Sequence, residues 1–529
     1  MTTTATSGLR QRPAISAGGR AGRAAIAGVA AVAAALGVSE LLAGVLTGAT
    51  SLVAAVGEVA INLQPPGAKD VVIALFGTND KLALELFVVA VGLLVGAGLG
   101  VLARSRYVLA AVGFAGFGVI GFLASLGDPL ANPSIAAVAT ATSVGAGLWI
   151  LGWLLGPSTV AAGPGGRPAQ MPDWSRRSFL IRAGGIGVGA VAAGVVGRTL
   201  LERQRVAPVG TGPAIPPASD VVPALATGAD LSTSIRDLTP IVMPNDRFYR
   251  IDTALLTPTV DSATWKLRIH GLVDRETTLT WDELIGLPMF EQYVTISCVS
   301  NEVGGRLVGN AKWTGVRLRD VLDLAGVQAS ATQLVGRSVD GWTAGMPTAW
   351  VMDPAREPMI AVKMNDEPLP PAHGYPARLI VPGLYGYVSA TKWLKELELT
   401  TLEAFDGYWI PLGWAKKGPI LTQARIDTPH GGSNLTAGRV PIAGIAWAPD
   451  RGIAKVEVAI DGVWQEARLS TPISNATWVQ WVVDWPATAG AHALQVRATD
   501  GSGELQPEQP TPPAPDGARG WHSVNVQVG

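Results

Sequence analysis

Long apolar segments in the first 200 residues constrain this sequence more than any other feature. Crossing the hydrocarbon core of a membrane takes about 20 mostly apolar helical residues, and lipid offers the backbone no hydrogen bonds. Four segments meet this requirement, and a fifth, dominated by Gly and Ala, meets it more weakly. The sequence therefore predicts an α-helical membrane domain with spans at Ala24–Leu46, Leu82–Ala103, Tyr107–Leu126, Ser134–Leu155 and Leu180–Leu200.

Two shorter apolar segments lie between the first and second spans. Leu52–Ile61 and Val71–Phe76 are too short to cross a membrane and are interrupted by Glu58, Pro65 and Pro66. We expect a re-entrant or interfacial hairpin there.

Basic residues predict the orientation of the spans, because Lys and Arg near helix ends are retained in the cytoplasm. With five spans, three basic clusters fall on one side, and everything after about residue 200 lies outside the cytoplasm. The clusters are Arg10, Arg12, Arg20 and Arg23; Arg104 and Arg106; and Arg167, Arg176, Arg177 and Arg182.

The segment Ser175–Leu180 has the order Ser-Arg-Arg-Ser-Phe-Leu and precedes the weakest span. It resembles a twin-arginine export signal in an internal position, which would imply export of an already folded domain. The two arginines also fit the ordinary basic flank of a fifth helix, and the two interpretations are compatible.

Cysteine and histidine usage excludes several kinds of site. The 529 residues include one cysteine, Cys298, which rules out an internal disulfide, a Cys₄ zinc site and a protein-ligated iron–sulfur cluster. The five histidines all lie beyond residue 269, so haem bound within the membrane is not expected. A formal net charge of −1 gives no electrostatic reason to expect nucleic acid as a partner.

The rest of the chain has the composition of a water-soluble protein, with 14 of the 17 Trp beyond residue 200. A Pro- and Gly-rich stretch predicts a linker, and mixed short strands and helices then predict an α+β domain. Thr280 and Glu283 have the spacing of a helix-capping box, and Val294–Cys298 is a β-branched strand ending at the cysteine. The predicted divisions are 1–160 for the first four spans, 161–205 for the export-like motif and fifth span, 206–230 for the linker, 231–412 for the α+β domain and 413–529 for a last domain.

The last domain consists of alternating apolar strands separated by Asp-Gly turns. This pattern predicts an immunoglobulin-like β-sandwich without a disulfide.

An ordered series of motifs over about residues 240–400 resembles the sulfite oxidase family of molybdopterin enzymes. The series is more specific than any of its members alone. The motifs are Ile296–Asn301, Ala311–Leu318, Met352–Pro354, Met364–Pro370, His373–Gly383 and Thr391–Leu394.

The resemblance implies a molybdenum cofactor with Cys298 as the protein's metal ligand. Thiolate is a soft ligand that suits such a metal and binds in its deprotonated form. The resemblance also implies that the cofactor is bound by Asn301, Lys312, Asp340, His373, Arg378 and Lys392. Arginine offers phosphate a planar fork of donors, and lysine offers a compact charge.

The family's substrate pocket is cationic, and the resemblance implies that Arg250 and Tyr408 belong to it. Glu302 departs from the pattern, since sulfite oxidases have an arginine after the asparagine. A carboxylate there would repel sulfite, so we expect sulfite to be the poorer substrate if Glu302 faces the pocket.

Together these observations predict a membrane-anchored oxidoreductase, active outside the cytoplasm, that transfers oxygen atoms to or from a small substrate. Electrons would pass to a separate carrier, a cytochrome or a quinone, and the last domain would be a dimerisation domain as in the family, giving a homodimer. A sulfoxide reductase with the same cofactor and a non-catalytic membrane receptor or adhesion protein are the alternatives.

Overall fold

A computed structural model describes residues 17–63, 80–128, 131–156, 175–205 and 214–529. The chain divides between Arg205 and Val206 into two compact units. We call the first the membrane unit and the second the soluble unit.

The described part of the membrane unit contains six α-helices, and five of them are long and apolar enough to cross a membrane. The short apolar helix α2 is the exception, and the predicted segment Val71–Phe76 lies outside the described residues. The helices are α1 (Ala17–Val45), α2 (Leu52–Asn62), α3 (Asp80–Ala103), α4 (Tyr107–Ser125), α5 (Pro133–Leu155) and α6 (Arg176–Arg205).

Helix α1 is central to the unit because glycines let its neighbours approach its backbone. A Cβ added to Gly28 would lie 1.9 Å from the carbonyl oxygen of Gly96 in α3, and one added to Gly44 would lie 2.2 Å from that of Gly197 in α6. Such contacts allow small-residue packing between apolar helices, where the hydrophobic effect contributes little.

The described basic clusters meet at one end of this unit. The Arg23 guanidinium lies 5.7 Å from the centroid of the Phe179 ring, and that of Arg182 lies 5.6 Å from the Trp153 ring. Arg104 and Arg106 occupy the turn between α3 and α4. The export-like motif forms the first turn of α6, where the Ser175 hydroxyl accepts a hydrogen bond from the Ser178 N–H.

The first part of the soluble unit contains two sheets with short helices, in agreement with the α+β prediction. The first sheet has the order β2-β1-β10-β5-β6, and the second has the order β3-β4-β7-β8 with β9 paired to β7. The strands are β1 (Lys266–Gly271), β2 (Thr277–Thr280), β3 (Met289–Ser297), β4 (Val308–Arg317), β5 (Gln333–Ser338), β6 (Thr343–Pro347), β7 (Met359–Met364), β8 (Glu367–Pro368), β9 (Arg378–Ile380) and β10 (Leu394–Thr400).

Short helices connect these strands. The capping box is confirmed, since the Thr280 and Glu283 side chains bond each other's backbone N–H at the start of α7. The helices are α7 (Trp281–Ile285), α8 (Leu318–Asp323), α9 (Thr348–Val351) and α10 (Gly386–Ser389), with a 3₁₀ turn at Pro371–His373.

The C-terminal part is rich in β-strands, as predicted, and is built from two sheets. One has the order β11-β13-β17-β16 and the other β12-β19-β18-β14-β15. Residues of both sheets, including Trp481 and Val496, share one apolar core. The strands are β11 (Gln423–Thr428), β12 (Asn434–Leu435), β13 (Gly438–Trp447), β14 (Ile453–Ile460), β15 (Val463–Glu466), β16 (Arg468–Leu469), β17 (Val479–Ala487), β18 (Gly490–Asp500) and β19 (His522–Val528).

The predicted linker is held against the second sheet along part of its length. Residues 206–213 lie outside the described residues, but the N–H of Ser219 donates to the carbonyl oxygen of Met289 at 2.9 Å. Asp220 forms a bridge with Phe290. The segment therefore covers the edge strand β3, whose backbone groups would otherwise lack partners on that side.

Candidate active site

Cys298 directly follows β3, at the point where the strand leaves the sheet. The side chain is buried, with 8% exposed. Its N–H donates to the carbonyl oxygen of Leu307 at 2.9 Å, and its own carbonyl oxygen accepts from the N–H of Asn301 at 3.1 Å. These bonds fold residues 298–307 into a compact turn between β3 and β4, which we call the Cys298 loop.

The side chain of Asn301 is buried beside the cysteine. Its Oδ1 accepts a hydrogen bond from the N–H of Leu307 at 2.7 Å. Its Nδ2 has no hydrogen-bond partner among the residues that the structure describes. A buried donor without a partner is costly, so this amide indicates an acceptor that the polypeptide itself does not supply.

Four of the predicted site residues converge on one region, which we call the cationic pocket (Arg250, His373, Arg378 and Lys392). Arg378 begins β9 and is 2% exposed. Its Nη1 donates to the carbonyl oxygen of His373 at 3.1 Å. Lys392 donates from Nζ to the carbonyl oxygen of Ala372, also at 3.1 Å. The two cations thus bracket the 3₁₀ turn at Pro371–His373.

Arg378 carries a buried charge that no described carboxylate neutralises. Its guanidinium donates hydrogen bonds to the carbonyl oxygens of His373 and Leu379 and lies 5.2 Å from the Trp313 ring centroid. Burial lowers the pKa of Arg378 to about 10, so the group stays protonated at neutral pH. A buried cation in this state favours binding of an anion.

Asp252 joins two members of the pocket. Its Oδ2 accepts from Nε of Arg250 at 2.9 Å and from Nζ of Lys392 at 3.1 Å. The carboxylate is 5% exposed. Burial lowers the pKa of Lys392 to about 8, while the Asp252 carboxylate opposes this shift.

His373 is neutral at pH 7. Burial, aided by the Lys392 ammonium, lowers the pKa of His373 to about 4. Its Nε2 lies 2.9 Å from the carbonyl oxygen of Asn245. Because a carbonyl oxygen only accepts hydrogen bonds, Nε2 carries the ring proton.

Asp340 and Tyr249 connect the pocket with its surroundings. Burial raises the pKa of Asp340, and the nearby Asp252 carboxylate acts in the same direction, while Lys392 opposes it. Burial raises the pKa of Tyr249 far above its ordinary value, with the Cys298 thiol contributing and Arg378 opposing. Tyr249 is therefore close enough to interact electrostatically with both Cys298 and Arg378.

Two predicted site residues, Lys312 and Tyr408, contact residues outside the cationic pocket and the Cys298 loop. Lys312 forms ion pairs with Glu291 at 3.5 Å and Asp366 at 2.6 Å. Tyr408 packs edge-on against Trp409, and its N–H donates to the carbonyl oxygen of Thr343 at 3.1 Å. The structure thus gathers Cys298, Asn301, Asp340, His373, Arg378, Lys392 and Arg250, whereas the contacts given above for Lys312 and Tyr408 are with other residues.

Sequence reasoning missed Asp252, although its position two residues after Arg250 was an available signal. It also missed Tyr385 and Arg519. Burial raises the pKa of Tyr385 to about 12, with the Cys298 thiol and Asp516 contributing and Arg519 opposing. Arg519 belongs to the C-terminal β-region, and no local pattern indicated that it approaches Tyr385.

The family described as "Oxidoreductase molybdopterin binding domain" matches residues 254–409 of the chain. This range includes the Cys298 loop, His373, Arg378 and Lys392.

Individual proteins are similar over a wider range. Mitochondrial sulfite oxidase of Homo sapiens is 30% identical over 340 residues, which cover 54% of this chain and 62% of that protein. Nitrate reductase [NADH] 1 of Oryza sativa subsp. japonica is 30% identical over 321 residues, which cover 48% of this chain and 34% of that protein. The chain thus spans less than two thirds of these relatives. Among solved structures, the sulfane dehydrogenase SoxCD of Paracoccus pantotrophus is 24% identical with a TM-score of 0.45, covering 51% of this chain and 76% of that one.

Proposed function

Because the chain belongs to the sulfite oxidase family of molybdopterin-dependent oxidoreductases, we propose that it is a membrane-anchored enzyme that transfers oxygen atoms to or from a small substrate. Membership of this family makes the chain an enzyme that uses the molybdenum cofactor, as the resemblance predicted. The family match argues against the alternative of a non-catalytic receptor or adhesion protein.

The observation that carries the proposal is the buried, uncompensated guanidinium of Arg378 beside Lys392. The cofactor's phosphate is the anion that these two cations would hold. Asn301 Nδ2 is a second unsatisfied group, and it lies one turn from the single buried thiol. The residues present thus fit the cofactor in charge, hydrogen bonding and ligand type.

Each residue then has a separate task. Cys298 would provide the thiolate ligand, and Asn301 Nδ2 would donate a hydrogen bond near it. The proton on His373 Nε2 is committed to Asn245, so the other ring nitrogen would be available to accept a hydrogen bond from the cofactor, while Asp340 would accept from the N–H groups of the pterin ring. When bound, the cofactor supplies the two-electron redox change and the exchangeable oxygen. Arg250 would orient the substrate, and the same role for Tyr408 rests on the family resemblance alone.

Two observations favour a substrate of low charge, which makes a sulfoxide reductase the second candidate function. The Asp252 carboxylate pairs with both Arg250 and Lys392, so it cancels part of the positive charge that would attract sulfite. Glu302 follows Asn301 in the Cys298 loop, although its side chain is exposed.

The five apolar helices support attachment to a membrane by several passes. With the basic clusters facing the cytoplasm, the soluble unit would lie outside it, exported through the Ser175–Leu180 motif. A separate cytochrome or quinone would then exchange electrons with the enzyme. We propose residues 231–412 as the catalytic domain and 413–529 as an immunoglobulin-like domain that forms a homodimer.

The test is analysis of the purified full-length protein from a host that makes the cofactor. We expect about one molybdenum and one pterin for each chain, and turnover of sulfite or of sulfoxides with an artificial electron carrier. The variant Arg337→Met is the matched control, because Arg337 pairs with Glu398 outside the pocket. Protein without molybdenum from such a host would refute the proposal.

A further inference from the structure

The Cys298 loop is held by side chains that come from the C-terminal β-region. Nη1 of Arg425, in β11, donates to the carbonyl oxygen of Gly305 at 2.7 Å. His522, at the start of β19, packs against Gly304 so closely that a Cβ added there would lie 2.3 Å from its ring. Arg425 and His522 therefore pack against the loop on the side where Gly304 and Gly305 lie.

Arg425 is itself held rigidly. Its Nε donates to Asp427 Oδ1 at 2.6 Å, and the two side chains are only 9% and 6% exposed. Its Nη2 donates to the hydroxyl of Thr239 at 2.9 Å, and the N–H of Thr239 donates to Asp427 Oδ2 at 3.0 Å. Each nitrogen of the guanidinium thus has a hydrogen-bond partner. The ion pair connects β11 with two distant segments, which contain Thr239 and Gly305.

A buried ion pair is a weak device for stability, because two apolar side chains of similar volume often do as well or better. What apolar side chains lack is a directed donor for a main-chain carbonyl oxygen. The donor of Arg425 acts one residue beyond Gly304, whose φ of +75° is freely available only to glycine. The bond thus restrains the part of the loop with the greatest conformational freedom.

The restraint extends to the groups nearest the cysteine. The N–H of Gly305 donates to the carbonyl oxygen of Glu302 at 2.8 Å, and the loop closes through Asn301 Oδ1 and the N–H of Leu307. Moving Gly305 would therefore move Glu302 and redirect the unpaired Nδ2 of Asn301.

We infer that the Arg425–Asp427 pair positions the Cys298 loop, so that it sets how Cys298 and Asn301 face the cofactor and where the Glu302 carboxylate lies. This inference rests on the proposed function of Cys298 as metal ligand. Arg425 and Asp427 are positioning residues, since they act through the loop.

The experiment replaces the pair by apolar residues in the full-length protein, Arg425→Met together with Asp427→Leu. We expect normal molybdenum content and a melting temperature close to that of the wild type, since no charge is left unpaired. We also expect a changed Mo(V) electron paramagnetic resonance (EPR) spectrum and a fall in kcat/KM of roughly 10- to 100-fold, the cost of a misplaced reacting group.

Arg451→Met is the control, because Arg451 pairs with the buried Asp500 in the same β-region and bonds Ile420 and Thr422 instead of the loop. It should lower the melting temperature without changing the Mo(V) spectrum. A double variant with the wild-type spectrum and kinetic constants would overturn the inference.

Should the double variant fail to fold, Arg425→Lys decides the question. A single ammonium cannot reproduce the fork that reaches Gly305, Thr239 and Asp427 together, so the spectrum should still change. A wild-type spectrum in this variant would contradict the positioning role. Absence of molybdenum from the wild-type protein would instead contradict the proposed function, which keeps the two failures distinguishable.

Discussion

The membrane unit packs closely through its smallest residues, whereas the soluble unit packs closely through large and charged side chains. In the membrane unit, helices meet where side chains are absent, as at Gly28 with Gly96 and Gly44 with Gly197. In the soluble unit, large aromatic side chains and buried charges fill the space, as at Trp313 beside Arg378.

This difference indicates which residues of each unit could bind a ligand. Glycine contacts hold helices together, but they offer no group that could bind an anion or a metal. Buried charges are costly, so a charge such as that of Arg378, which the described polypeptide leaves uncompensated, indicates a ligand. The predictions below test whether the buried groups of the soluble unit serve binding and whether the glycines serve packing alone.

The largest effect on cofactor content is expected from Arg378→Met. Removing the buried cation should weaken cofactor binding by roughly 10- to 100-fold, the value of a charged hydrogen bond, so the purified protein should contain little molybdenum. Arg337→Met should contain the wild-type amount. Metal analysis of both proteins is the measurement, and equal molybdenum in the two would show that Arg378 is merely structural.

The next prediction is a loss of folding stability at low pH, caused by His373. The folded-state pKa of about 4 lies below the ordinary 6.5, so the unfolded chain takes up a proton that the folded chain does not. Stability should therefore be complete above pH 6.5 and fall by of order 3 kcal/mol as the pH drops to about 4.

Tryptophan fluorescence of the cofactor-free full-length chain measures this loss, because 14 of the 17 Trp belong to the soluble unit. The variant His373→Gln keeps a donor for Asn245 but does not titrate, so its stability should depend less on pH over that interval. The same acid dependence in wild type and variant would assign the loss to other groups.

Gly44→Ala tests the packing of the membrane unit. The new Cβ would overlap the backbone of Gly197, and we expect a loss of about 1–3 kcal/mol from overpacking. Gly194→Ala in the same partner helix meets nothing within 4 Å and should be neutral or stabilising. The thermal aggregation temperature in detergent distinguishes them, and two equal values would mean that the α1–α6 contact carries no stability.

The smallest effect is expected from Asp252→Asn. Removing this carboxylate makes the pocket more positive, which favours the anion sulfite over a neutral sulfoxide. The ratio of kcat/KM for sulfite to that for the sulfoxide should rise by roughly three- to tenfold, because one screened charge interaction contributes about 1 kcal/mol. Steady-state kinetics on both substrates give the ratio. A ratio that stays constant or falls would remove Asp252 from substrate selection.

Much of the fold was predictable because its signals are local. The apolar spans, the capping box at Thr280 and the strand ending at Cys298 each depend on residues within one element. The α+β and β-rich parts follow from such patterns in succession.

The organisation of the site was only partly predictable. Ordered motifs indicated Cys298, His373 and Arg378, because each belongs to a short recognisable segment. The contacts of Asp252 with Lys392 and of Arg425 with Gly305 join residues more than 100 positions apart. Such pairs depend on how sheets pack together, which periodicity within one segment does not encode.

The central claim is that Cys298 provides the protein's sulfur ligand to molybdenum. The most direct measurement is the Mo(V) EPR spectrum of Cys298→Ser compared with the wild type, on samples of known molybdenum content. The account predicts that the serine variant loses the contribution of the thiolate sulfur, with altered g-values, or loses the metal itself. A variant that retains the metal and gives the wild-type spectrum would contradict it.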